Sequence, residues 1–405
     1  MEIKLADIPE ESLDLLTEIL KSFSGKRVLV YGGILREYLY RTVHGKSEEI
    51  SEDLDILLFD DDFDACVSKL TSITRALFPA LIKERTIRLV GRGNTTADVT
   101  IYPVNTDLST YPFDFTVNSF YCDARELVED GAAKIETPFD SSWDDIRDGI
   151  LRAPSGDVLV EHNFGAIRGL RLFSQLGFRF SSETLKYYPL ALKRASVELS
   201  PLLIVREFMK AIEHSAKRFA VALVLTKGDR IFFSPLDRLL EKDDEHHVIS
   251  VCGNYDELRH SERADSKFWE RWQGKRHQII KDLENVKMGV SKQRNLLNLV
   301  GISALLHDIG KAVSNDDHTV VGSDVVGRIT DRLGFFPSER FFIYLAVSAH
   351  HRVHEAAKGN EADIQWFKEQ RPLIRSALVL LGLADRLAYP YSDDEVLSYL
   401  QLLSE

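Results

Sequence analysis

Two rhythms of apolar and polar residues divide the chain. Up to about residue 125 they mix. "EESLDLLTEILKSF" (10–23) repeats at helical spacing, and "GKRVLVYGG" is a buried strand closing on a glycine pair. "ILREYLYRTV" predicts a helix starting just after Gly33, "DLDILLF" a strand, and "DDFDACVSKLTSITRAL" a helix with acids in its first turn. "TIRLVGRGNTTADVTIYP" reads as a hairpin, with "GRGN" as its turn and Asp98 in its second strand. "FDFTVNSFYCD" is a further strand candidate. Beyond residue 125 the spacing is nearly all helical: "SSWDDIRDGI", "EHNFGAIRGLRLFSQL", "SSETLKYYPLALKRA" and "PLLIVREFMKAIEH". The polar stretch 241–267 reads as a linker. The expectation is an α+β protein: a small mixed-sheet head (1–125), an all-helical neck and body (126–240), the linker (241–267) and an all-helical module (268–405).

Composition narrows the function. At 405 residues the chain exceeds one compact core, and 44% apolar with 28% charged residues is ordinary for a soluble globular protein. No run is long enough to cross a bilayer, so no membrane partner is expected. The acidic, amphipathic start "MEIKLADIPEESLDLL" is unlike a signal or transit peptide, which points to the cytoplasm. Cys66, Cys122 and Cys252 lie too far apart for a CxxC metal site or a disulfide framework. A net charge of -12 argues against a broad electropositive surface, so any RNA would have to meet local basic patches.

Candidate chemistry begins at the head. Asp53 and Asp55, two apart on a strand, share a face, although such acids repel and resist burial. As a bare strand end they would be solvated. Here they follow Gly32-Gly33, where a strand-to-helix turn frees backbone N–H groups for phosphate, and a later strand carries Asp98. Three acids at one sheet edge suit two Mg²⁺ ions and nucleotidyl transfer. "YGGILRE…DLDILLF…ADVTIYP…FDFTVNSFYCD" resembles the polymerase-β-type nucleotidyltransferase head of the class II tRNA CCA-adding enzymes and bacterial poly(A) polymerases. The resemblance continues through "IETPFDSSWDDIRDGILRAP", "AIRGLRLFSQLGFRFSSET" and "ELSPLLIVREFMKAI", covering roughly residues 25 to 215. It implies that Gly32, Gly33 and Arg36 cradle a triphosphate and that Asp53, Asp55 and Asp98 are catalytic and bind Mg²⁺. It also places Asp114, Asn118, Glu161, His162, Arg168 and Arg171 in nucleotide-binding motifs.

The chain departs from that family at several positions. The family's "GGxVRD" ends in Glu37, and "RTVHGKSEEISE" is a longer connection than usual before Asp53. Pro112 and Phe113 stand where two arginines precede "DFT", and only "VNTDLSTYPF" separates the third-acid strand from that motif. "EDxxRxxR" reads "EHNFGAIR": Glu161 and Arg168 match, while His162 and Gly165 replace the pair that reads the incoming base.

A second set of ligands lies near the C-terminal end. "ISALLHDIGKAVSNDDHTVVG" carries His307, Asp308 and His318, "VSAHHRVH" carries His350 and His351, and "LGLADRLAY" carries Asp385. One histidine on an apolar face is usually a core residue, but this ordered set suggests metal. It resembles the HD superfamily of metal-dependent phosphohydrolases, whose "H…HD…H…HH…D" order it follows. That resemblance nominates His277, with His260 as competitor for the upstream position, together with His307, Asp308 and Asp385 as one metal set. His318 and His351, with His350, would form a second set or contact phosphate. Mn, Fe, Co, Ni and Mg all suit these donors. Lys311 is either a phosphate contact or a solvated lysine. Trp269 and Trp272 in "KFWERWQGKRHQ" are expected to pack against the helical body rather than stack on bases, and "DDDFD" to cap a helix.

Three readings follow. In the first, the head moves a nucleoside monophosphate from CTP or ATP to a hydroxyl, by resemblance a tRNA 3′ end, and the tail hydrolyses a phosphoester. The second gives the same head a small-molecule acceptor. The third makes the head a nucleotide-binding regulator of the tail.

Overall fold

The apolar runs "RVLVY" and "LDILLF" become the centre of a six-stranded mixed sheet, with Val28, Leu29, Val30, Ile56, Leu57 and Leu58 all buried. The strand order is Leu77–Phe78, Thr86–Val90, Thr96–Tyr102, Leu54–Phe59, Arg27–Tyr31 and Tyr121–Asp123. This computed structural model describes residues 1–45, 53–73, 77–78, 85–90, 95–241, 245–289 and 291–403. The hairpin forms as expected, though its "GRGN" turn and most of the long polar connection before Asp53 lie outside the described residues. Helices Glu10–Ser22, Gly33–His44 and Phe63–Ile73 match the predicted ones, and Asp62 in "DDDFD" caps the last by accepting the Ala65 N–H.

Two compact units emerge: Met1–His162 with Arg179–Thr184, and Asn163–Phe178 with Leu185–Glu405. The first extends past residue 125, because strands do not stop there. Ala132–Lys134 pairs with Glu2–Lys4, and Ile150–Leu151 pairs with Arg179–Phe180. Conversely, only Tyr121–Asp123 of "FDFTVNSFYCD" is strand. Asp114 accepts both the Phe115 N–H and the Asn118 Nδ2–H, which folds the segment into a 3₁₀ turn at Thr116–Asn118.

The second unit is helical, and the expected linker is not a linker. Residues Glu245–His260 form a helix whose Val248, Val251, Cys252, Tyr255 and Leu258 are fully buried. Those positions recur every three or four residues, and the acids and histidines between them hid the stripe. Trp269 and Trp272 are buried on the helix Lys267–Asn285, as expected, and the Trp272 indole donates to the Leu258 carbonyl. Among the described residues no helix is long and apolar enough to cross a membrane.

Candidate active sites

Register builds the head's site. Leu54–Phe59 runs parallel to Thr96–Tyr102 with Asp55 opposite Asp98, and antiparallel to Arg27–Tyr31 with Tyr31 opposite Asp55. Arg88 stands opposite Asp98 across the next antiparallel pair. Tyr31, Asp55, Asp98 and Arg88 therefore form one row across four strands, side chains on the same face. Gly32, at φ +77°, follows Tyr31, and a Cβ there would lie 2.8 Å from Asp55 Oδ2. The glycine is needed both for its left-handed backbone and for the carboxylate beside it.

Each expected head residue has a place. Asp53 Oδ1 accepts from the Thr96 hydroxyl at 2.6 Å. Asp98 accepts two hydrogen bonds from Arg88, at 2.7 and 2.6 Å. Buried Arg36 donates to Asn118 Oδ1 at 2.6 Å and to Glu37 Oε1 at 2.9 Å, and Asn118 donates to Asp114. Glu37, which stands where the family motif ends in aspartate, is thus bonded directly to Arg36. The Gly32 N–H is taken by the Phe120 carbonyl, and Gly33 opens the helix Gly33–His44. Phe113 is buried among the rings of Tyr31, Tyr111 and Phe139, so an aromatic cluster stands where the family has arginines. Glu161 is exposed at the end of the helix Gly156–Glu161, and His162 caps it.

In the second unit, Arg168 lies over the Phe164 ring and Arg171 is bonded to buried Glu207 at 2.8 Å.

The tail's cluster draws on five helical segments. His247 comes from Glu245–His260. His307 and Asp308 follow Leu296–Leu306, His318 opens His318–Arg332, His350 and His351 lie on Pro337–Ala357, and Asp385 on Pro372–Arg386. Gly310 makes the close turn after Asp308 possible, since a Cβ there would meet the His318 carbonyl oxygen at 1.9 Å. Among the described residues, two groups of three ligating side chains have all donor atoms within 4.8 Å of one another: His247, His307 and Asp385, and His318, His350 and His351. The three head carboxylates form no such group.

Asp308 joins the two groups. Its Oδ2 lies 3.4 Å from His247 Nε2 and 3.3 Å from His307 Nε2, while its Oδ1 lies 3.6 Å from His318 Nε2 and 3.5 Å from His350 Nε2. His307, His318 and His350 each present Nδ1 to a backbone carbonyl, of Ala304, Asn315 and Val347. With Nδ1 protonated, Nε2 is the lone-pair nitrogen turned to the cluster. The buried His350 Nε2 has no hydrogen-bond partner, as a nitrogen meant for a cation would. These residues fit a pair of divalent cations.

The carboxylates and imidazoles of the cluster shift one another's pKa values. Burial pulls the His247 pKa down, but Asp308 and Asp385 outweigh it and raise it to about 9. Burial and the neighbouring imidazoles hold His351 down to about 4. Burial opposes ionisation of Asp385, yet the His307 side chain and its companions keep its pKa well below the usual range. Lys311 Nζ contacts Asp308 Oδ2 at 2.6 Å, so it is tied to the cluster rather than simply solvated.

The upstream histidine is His247, not His277. His277 is exposed on the helix Lys267–Asn285, and His260 is exposed at the end of the helix Glu245–His260. His354, also overlooked in the sequence, bridges Asp385 Oδ2 at 2.8 Å and the Tyr399 hydroxyl at 2.5 Å. Its signal was there, four residues after His350 on one helix. A cavity of ≈ 690 Å³ opens beside the cluster, lined by His351, His354, Asp385, Tyr389, Arg386 and Tyr399 among others.

Comparison with known proteins places this geometry. The HD domain family matches residues 277–389. No protein of curated function matches the chain by sequence. The Thermotoga maritima CCA-adding enzyme, solved in complex with tRNA, shares the fold at TM-score 0.61 and 14% identity, over 100% of this chain and 87% of that one. A CCA-adding enzyme solved with ATP does so at TM-score 0.58 and 15% identity, over 99% and 84%. A tRNA-processing enzyme solved with CTP matches at TM-score 0.59 and 15% identity, over 96% and 91%. A mixed-sheet head followed by helices, with every member of the histidine cluster except His247 inside the matched region, gives this chain the fold of the CCA-adding enzymes and an HD domain within its helical part.

Proposed function

We propose that the chain is a two-site enzyme: its head transfers a nucleoside monophosphate from CTP or ATP to a hydroxyl at a tRNA-like RNA 3′ end, and its tail hydrolyses a phosphoester. The observation that carries the tail's part is Asp308, whose two oxygens face two separate histidine groups. The CCA-adding fold and the Gly32–Asp55 contact support the head's part.

In the tail, His247, His307, Asp308 and Asp385 would hold one divalent cation, and His318, His350, His351 and Asp308 a second, of Mg²⁺ or a transition metal. Such ions when bound supply Lewis acidity toward water and the phosphoryl group. The chain's own contribution is rigidity: three backbone carbonyls fix the imidazoles, His354 steadies Asp385, and the cavity seats the ester's organic part. In the head, the first-turn N–H groups of Gly33–His44 are the donors for a triphosphate. Asp98 would have to release Arg88, which engages both its oxygens, to hold Mg²⁺ together with Asp53 and Asp55.

A second reading, a small-molecule acceptor, is favoured by the cations the head lacks. Arg36 is matched by Glu37, and Phe113 packs into an aromatic cluster, which leaves less positive charge for an RNA backbone. Incubation with each labelled NTP, with and without tRNA, separates the readings: extension of tRNA supports the first, pyrophosphate release only with a small acceptor the second. Asp53→Ala with Asp55→Ala is expected to lower NTP turnover at least ~100-fold and spare the tail's hydrolysis. His307→Ala with Asp308→Ala should do the reverse. Loss of both activities from either folded double variant would refute two independent sites.

A further inference from the structure

We infer that the tail's substrate carries a single phosphoryl group on an uncharged or cationic organic part, and that Asp394 is the residue that excludes a second anionic group. This rests on reading the tail as a phosphoester hydrolase. The cavity of ≈ 690 Å³ opens beside the histidine cluster, where the organic part of an ester held at the cluster would lie. Beyond the cluster itself, the charged residues that line this cavity are Glu355, Lys358, Arg386, Asp394 and Glu395.

A second phosphate would need a counter-charge there, and each group that could provide one is already matched. Lys358 Nζ is bonded to Glu355 at 2.8 Å. Arg386 donates one N–H to the Glu395 carboxylate and another to the Pro390 carbonyl, both at 2.9 Å. The remaining candidate is the N-terminus of the helix Asp393–Gln401, since unmatched N–H groups at a helix start attract anions. Its first turn carries Asp393, Asp394 and Glu395, and Ser392 and Glu395 cap each other reciprocally. Both cations of the lining are thus bonded to Glu355 and Glu395, and Asp394 is the surplus charge. This part of the lining is net negative. Tyr389, 50% exposed, and Pro390 add apolar surface that suits a neutral carbon skeleton.

Three esters of one skeleton test this on the full-length chain with Mn²⁺: aminoethyl phosphate, hydroxyethyl phosphate and ethylene glycol bisphosphate. Phosphate release per phosphoryl group is expected to show kcat/KM at least ~5-fold lower for the bisphosphate than for the hydroxyethyl ester at low salt. The aminoethyl ester should do as well as the hydroxyethyl ester or better. Because Asp394 is exposed, the gap should narrow at high ionic strength. Asp394→Asn should narrow it too, and Asp394→Lys should close or reverse it. Affinities of the three esters, read by titration calorimetry, should follow the same order. Equal kcat/KM for all three would overturn the inference and leave the hydrolase reading standing. Preference for the bisphosphate, or a gap that Asp394→Lys leaves unchanged, would also overturn it. Phosphate release from none of them would remove the hydrolase reading and the inference together. If Asp394→Lys does not fold, the order of the three esters on the natural chain still decides.

Discussion

The two oxygens of Asp308 face different histidines, and the side chains around them are held from behind. His354 is one such support: it donates toward Asp385 on one side and meets Tyr399 on the other, without joining either group of three. Groups that orient a metal ligand typically change affinity or activity 10- to 100-fold when removed. His354→Gln is therefore expected to weaken Mn²⁺ binding in the tail by about 10- to 100-fold, measured by titration of the full-length chain, with the fold intact by circular dichroism. Unchanged affinity would mean that Asp385 needs no such support. Single residues also explain where the sequence misled. His277 had the right residue type and lies midway along the helix Lys267–Asn285, upstream of the motif, but it is exposed to solvent. His247 was hidden beside acids that suggested a linker.

At the scale of elements, the parts with strong local rhythm were legible: the head's strands, the helix after Gly33, and the apolar helix leading to His307. What the sequence could not display was tertiary compensation. "FDFTVNSFYCD" has the β-formers of a strand, yet Asp114 turns it with two local hydrogen bonds. The helix Glu245–His260 carries acids, histidines and a glycine, and it is stabilised by the side chains it buries rather than by its polar surface. Leu258→Ala, at a fully buried position of that helix, is expected to destabilise the chain by about 2–5 kcal/mol, read as a lower urea midpoint. Because His247 rides on the same helix, metal affinity in the tail should fall as well. Loss of stability with unchanged metal affinity would detach His247 from the site. The order of the metal ligands was visible from motifs alone, whereas the pairing of Asp98 with Arg88 depends on strand register, which no motif states.

Across the whole molecule, apolar packing is joined by buried ion pairs such as that of Arg171 with Glu207. Glu207 is buried, which opposes its ionisation, but Arg171 and other cations outweigh this and hold its pKa below the ordinary value. A depressed folded pKa gives stability that is present above the unfolded value of about 4.3 and is lost as pH falls through the folded value. Urea unfolding should therefore show a decline below roughly pH 4. Glu207→Gln should flatten that decline and lower stability at neutral pH, since Arg171 would lose its charged partner. An unaltered acid limb in Glu207→Gln would assign the decline to other carboxylates. The account as a whole turns on Asp308 standing between two cations in the tail, and anomalous diffraction from crystals of the full-length chain grown with Mn²⁺ tests it most directly. Two peaks are predicted, one among His247, His307 and Asp385 and the other among His318, His350 and His351, with Asp308 shared. No peak in the cluster, or a single peak that leaves one histidine group bare, would contradict it.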